Sequence, residues 1–130
     1  MKKYVSLIPI IILIISVATA SAQDQKPKKL PNETTISGEI VDIKCFLTAM
    51  MKGRGENHKE CAIMCIKDGL PVGILDDSTN EVYIVVPKGG MKSGNDELMQ
   101  YAAQNVKLTG TILKKNGQSM FLYSKIEAVQ

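Results

Sequence analysis

The chain has no tryptophan, only two phenylalanines and a single histidine. So few flat side chains make no platform on which unpaired bases could stack. Charge adds nothing in that direction. The formal net charge of +3 falls to +1 once Lys2 and Lys3 of the N-terminal segment are set aside, which leaves no basic footprint for nucleic acid. Cysteine is scarce too. Three residues cannot all pair within one chain, so one is free, one is bonded to another molecule, or the thiols hold something else. There is no C-x-x-C pair, and therefore no C-x-x-C-H for covalent haem attachment and no thioredoxin-like redox motif. No internal repeat or low-complexity tract is visible, and 130 residues leave room for one small domain.

The N-terminus reads as delivery. Lys2 and Lys3 precede an apolar run from Leu7 to Val17, broken only by Pro9 and Ser16, and Ala20-Ser21-Ala22 has the small-x-small form of a cleavage site. This is the pattern of a secretory signal peptide over residues 1–22, cut after Ala22, too short and wrongly flanked for a stable membrane span. An uncleaved N-terminal anchor is the alternative. No cysteine stands at the cleavage point to carry a lipid. Residues 23–33, polar and basic with two prolines, read as a flexible leader. The expected location is periplasmic or secreted, where disulfides persist.

What remains is concentrated between Cys45 and Cys65. This stretch holds all three cysteines, the only histidine (His58) and Met50, Met51 and Met64. His58, Cys61 and Cys65 form H-x2-C-x3-C. On a helix, at about 100° per residue, these positions share one narrow stripe. Imidazole and thiolate are ligands for zinc and for softer first-row ions. Cys45, upstream, would complete a Cys3His set suited to a closed tetrahedral site.

The surrounding pattern is mainly β. Thr34–Phe46 reads as a first strand that delivers Cys45 at its end. Its alternation slips at Ile40-Val41, suggesting a bulge, and Gly38 permits a bend. Leu47–Gly55 reads as a loop or short helix. Asn57 and Glu60 look like a capping box for a helix from His58 to about Lys67, which Gly69 and Pro71 stop. About three turns are too few to stand alone in water, so a metal or a disulfide to Cys45 would hold the helix down. Strands follow at 72–76 and 81–86, joined by a turn at Asp77–Asn80. A short helix spans Asp96–Gln104, with Leu98, Tyr101 and Ala102 on one side. The last two strands, Val106–Lys114 and Gln118–Val129, meet at the tight-turn pair Asn116-Gly117. Val106, Leu108, Gly110 and Ile112 face inward on the first of these, and Met120, Leu122 and Ile126 share a face on the second. Five strands with a helix between the third and fourth is the order of an OB-fold barrel. The expected architecture is a five-stranded OB-like barrel over residues 34–130, with an inserted Cys/His helix-loop, residues 45–71, after strand 1. An open five-stranded α+β sheet is the alternative.

GEIVDIKCF (Gly38–Phe46), HKECAIMC (His58–Cys65) and Gly69-Leu70-Pro71 together resemble a group of small exported bacterial proteins. Their pattern is roughly G-x-[IV]-V-D-x-K-C, a Gly-containing loop, H-x-x-C-A-x-x-C and G-[IL]-P. The match covers about a quarter of the chain. The resemblance implies an exported, OB-like protein and supplies no reaction.

The reading taken forward is a metal-binding accessory or structural protein, not an enzyme. It holds one zinc or copper ion through Cys45, His58, Cys61 and Cys65, with an exported or membrane-bound protein as a candidate partner. Its main rival is a binding module without metal, in which Cys45 bonds to Cys61 or Cys65 and braces the loop. A thiol redox protein is a third reading. A Cys61–His58 nucleophile lacks an evident orienting acid and oxyanion element. Thiolates with nearby thioethers favour copper(I), although Met64, about 100° from Cys65 on a helix, is peripheral and methionine is often core filler. Glu60 and Asp42 could support His58 from behind. A helix-capping Glu60 and a strand-edge Asp42 is the preferred alternative.

Overall fold

The computed structural model describes residues 30–129. The expected signal peptide (1–22) and most of the leader (23–33) lie outside the described residues. The leader's last residues are held against the barrel. The Pro31 carbonyl accepts from the Thr111 hydroxyl at 3.5 Å, and Glu33 pairs with Lys88 at 2.8 Å. Among the described residues no helix is long and apolar enough to cross a membrane.

Five strands close into a barrel in the order β1-β2-β3-β5-β4. They are β1 Thr34–Asp42, β2 Val72–Asp76, β3 Val82–Pro87, β4 Asn105–Lys115 and β5 Gln118–Ala128. Neighbours are antiparallel except β3 and β5, which run parallel from Ile84↔Met120 to Pro87↔Tyr123. Between β1 and β2 lie α1 (Ile43–Thr48), 3-10 turns at Met50–Gly53 and Glu56–His58, and α2 (Lys59–Lys67). Between β3 and β4 lies α3 (Asn95–Leu98), continued by a 3-10 turn to Tyr101. This is the expected OB-like barrel, with the expected insertion after its first strand.

β1 closes the barrel by serving two partners. Thr34–Glu39 pair with β4, and Gly38–Asp42 pair with β2. The switch needs a close backbone approach at Gly38, where an added Cβ would strike the Leu75 carbonyl. The strand ends four residues earlier than expected. Asp42 caps a helix there, so Cys45 sits on α1 and not on a strand terminus. The phase slip at Ile40-Val41 is not a bulge, because the β1 registers are unbroken. It arises because the end of β1 is buried on both faces.

The bulge lies elsewhere. Thr109 pairs with Lys125 and Gly110 with Tyr123, which leaves Ser124 as an extra residue in β5. That extra residue reverses the side-chain alternation. Phe121 and Tyr123 are therefore the core residues before it and Ile126 packs against the core after it, whereas Met120 and Leu122, expected to share a face with Ile126, are only half-buried.

The core joins Ile36 and Ile40 of β1 to Ile74, Tyr83, Val85, Val106, Leu108 and Phe121, with Leu98 and Ala102 from the β3–β4 connection. Helix α2 enters the same cluster through Ala62 and Ile66, four apart and hence on one face. Asn95 fastens its end, its side-chain amide donating to the Ile66 and Leu70 carbonyls at 2.8 and 2.9 Å. The stop signals act as expected. Gly69 is left-handed at φ +92, and the Leu70 amide returns to the Cys65 carbonyl at 3.0 Å.

The turn after β2 is organised by Asp76, a buried carboxylate that accepts from the Ser78 amide, the Ser78 hydroxyl and the Thr79 hydroxyl at 2.8, 2.7 and 3.0 Å. Burial pushes its pKa up, but these hydrogen bonds outweigh burial and hold it below the ordinary 3.8. A lowered carboxylate contributes stability above its unfolded value, and the contribution is lost as pH falls through the folded value. Asp76→Ala should therefore cost about 1–3 kcal/mol at neutral pH. The difference from wild type in urea unfolding should shrink as the pH drops below about 4.

Candidate metal centre

The insertion is pinned to the barrel by buried acids on β1. Glu39 accepts from the Gly55 amide and pairs with Arg54 Nε at 3.4 Å, which fixes the loop ahead of His58. Asp42 is fully buried and holds two elements at once. Its Oδ1 accepts from the Cys45 amide at 2.8 Å, capping α1, and its Oδ2 lies 3.0 Å from His58 Nε2. Gly53 completes the fold-back of the loop. It is left-handed at φ +65, and an added Cβ would strike the Cys45 carbonyl.

On α2 the residues facing the core are Ala62 and Ile66, so Cys61 and Cys65, one position earlier, lie on its flank and are half-buried. Cys45 comes from α1 to meet them and is only 1% exposed. The three sulfurs lie within 4.8 Å of one another, Cys45 Sγ and Cys65 Sγ being 3.9 Å apart. All three are free thiols. An ion about 2.3 Å from both of those sulfurs would see them about 116° apart, between a tetrahedral and a trigonal angle.

A second group shares Cys45. An Asp42 carboxylate oxygen, Cys45 Sγ and a His58 ring nitrogen also lie within 4.8 Å of one another. The four expected ligands are thus brought to one locality as two overlapping triads. They do not form one set with every pair at that spacing. His58 is not inside the α-helix. It ends a 3-10 turn, stands at the N-cap of α2 without a side-chain cap bond, and is oriented by Asp42. The expected Asn57 cap is therefore displaced by one residue, and Glu60 points to solvent instead of closing a capping box. Asp42, read in the preferred alternative as a strand-edge charge, instead backs the imidazole. The structure also leaves His58 Nδ1 buried with no hydrogen-bond partner. With its proton on Nε2 toward the Asp42 carboxylate, the ring presents a lone pair at Nδ1.

Asp42, His58 and Cys45 have the composition of a cysteine-nucleophile triad, including the orienting acid that was not evident in the sequence. The environment of the sulfur opposes that chemistry. Burial, followed by the neighbouring Asp42 carboxylate, pushes the Cys45 thiol up to about 12. Burial raises Cys65 as well. A nucleophilic thiolate needs a lowered pKa and access to substrate. A metal ion that binds such a sulfur displaces its proton.

Glu39 is the functional neighbour that sequence reasoning missed. Its only signal was a carboxylate in the run Gly38–Val41, next to the apolar pair Ile40-Val41. No protein-family model, curated protein or solved structure matches the chain.

Proposed function

We propose that this is an exported accessory protein that binds one thiophilic metal ion, zinc or copper, at the Cys45–Cys61–Cys65 cluster. His58 stands beside the cluster as a fourth donor. The observation that carries the reading is the convergence of three unbonded thiols from two helices, next to a buried imidazole whose free nitrogen has no partner. Buried polar atoms without a partner are rare in folded proteins, and a bound ion is one of the few explanations. The carboxylate–imidazole arrangement at Asp42 and His58 is the support that metal-bound histidines receive. The insertion, made of short helical pieces, would gain a cross-link that its own length cannot supply. The N-terminal pattern of residues 1–22 supports export.

Metal counted in protein purified under reducing, chelator-free conditions, then titrated with Zn(II) or Cu(I), tests the reading. Wild type should carry about one ion per chain, and Cys61→Ser/Cys65→Ser close to none, with far-UV circular dichroism showing that the barrel persists. Near-zero metal in both proteins would end it.

A further inference from the structure

Three of the most exposed large apolar side chains among the described residues, Met50, Met51 and Met64, lie on the Cys/His insertion. Methionine used as packing filler is buried. These are not, as Met51 and Met64 are 62% and 60% exposed. Exposure alone decides nothing, since Met91 is exposed as well. What distinguishes Met51 and Met64 is where they stand. Together with Cys61 they line one open depression of about 670 Å³. Met64 is three residues after Cys61 on α2, the spacing that makes side chains neighbours on a helix surface.

The backbone beneath Met51 is held in an unusual state. Ala49, Met51 and Lys52 are left-handed at φ 53, 49 and 66, three non-glycine residues within four positions. Such conformations persist only where surrounding structure enforces them, and they gather at ligand sites. Here the turn is closed by the Lys52 amide on the Ala49 carbonyl at 3.1 Å, and just after it Gly53 fits closely against Cys45 and Glu39 holds the Gly55 amide. The strained turn fixes the position from which the Met51 thioether meets the depression. Of the thiols, half-buried Cys61 lines the depression, and its sulfur lies within 4.8 Å of those of half-buried Cys65 and buried Cys45.

We propose that the depression is the route by which a soft monovalent ion, Cu(I), reaches the thiols, with Met51 and Met64 as its first ligands. The proposal rests on the metal-binding reading above and names the ion it takes. Thioether and thiolate are the donors that select Cu(I), while zinc gains little from a thioether. Transfer is ligand exchange. A sulfur–copper bond to each methionine breaks as bonds to the cysteine sulfurs form, the thiol protons pass to buffer, and no electron moves.

The test uses reduced protein under anaerobic conditions, with Cu(I) supplied as its complex with a chromophoric chelator and transfer followed by stopped-flow absorbance. Met51→Leu/Met64→Leu keeps the apolar volume and removes both thioethers. Its transfer rate should fall about tenfold, while Met91→Leu transfers at the wild-type rate and Zn(II) affinity is the same in all three proteins. An unchanged Cu(I) rate in the double variant overturns the proposal, as does an equal loss of zinc binding, which would mark a packing effect. Wild type that binds neither ion overturns the metal reading itself. Wild type that binds zinc but not Cu(I) overturns only this inference.

Discussion

Asp42→Ala should lower folding stability by about 2–4 kcal/mol, a lost helix cap plus a buried group stripped of its partner. The residue is fully buried and both of its oxygens are used, one on the Cys45 amide and one on His58 Nε2. Removing it takes the cap from α1, worth about 1 kcal/mol by itself. It also leaves His58 Nε2 buried without its partner, costing about 1–3 kcal/mol more. The imidazole, whose Nδ1 already lacks a partner, would then have none at either nitrogen. Metal affinity should fall with stability, by about 10–100-fold, as when the support behind a ligating histidine is lost. Asp42→Asn separates the two effects. Its amide oxygen can still cap α1, but its NH2 cannot accept a proton from Nε2, so His58 must change tautomer. Chemical denaturation should place this variant between wild type and Asp42→Ala. Nitrogen-15 shifts of the imidazole should report the tautomer change.

Asp42 also shows where reading the residues stops short. The barrel was legible because its signals are local. Asn116-Gly117 is left-handed at both positions, with φ 50 and 80, as a tight hairpin requires. Strand alternation located β2, β3 and β4 within a residue or two. The Cys/His cluster was legible because helical spacing alone places Cys61 and Cys65 together. The end of β1 was not legible. Ile43, Cys45 and Phe46 continue a plausible strand pattern, and only the Asp42 carboxylate turning back onto the Cys45 amide reveals a helix start. The face of β5 was hidden for a similar reason. A bulge at Ser124 is set by pairing with Thr109 and Gly110 on β4, and it inverts which side chains reach the core. Glu39 escaped because its partners, Gly55 and Arg54, approach only after the insertion folds back on the barrel. In each case the deciding contact is long in sequence, or is made by a side chain to a backbone group that periodicity does not see.

Cys45→Ser should cost more metal affinity than any other single change, by about a thousandfold or more, since a hydroxyl is a poor replacement for a thiolate toward a thiophilic ion. The reason is position. Cys45 Sγ belongs to both triads, so its loss disables the site whether the ion sits among the three sulfurs or nearer the imidazole. The other ligands distinguish those two arrangements. If the ion is centred on the sulfurs, Cys61→Ser and Cys65→Ser should each approach the Cys45→Ser loss, and His58→Gln should cost far less. If it is centred on Cys45 and His58, that order inverts. Competition titration with a chelator of known affinity measures all four variants on one scale. Folding complicates Cys45→Ser little. The serine is smaller and keeps the backbone amide that Asp42 caps, and its hydroxyl can donate to the neighbouring carboxylate. Thermal unfolding of metal-free protein should therefore change only slightly, while the stabilisation that wild type gains on adding metal should vanish. A large loss of stability in the metal-free state would instead mark Cys45 as a packing residue and remove it from the ligand set.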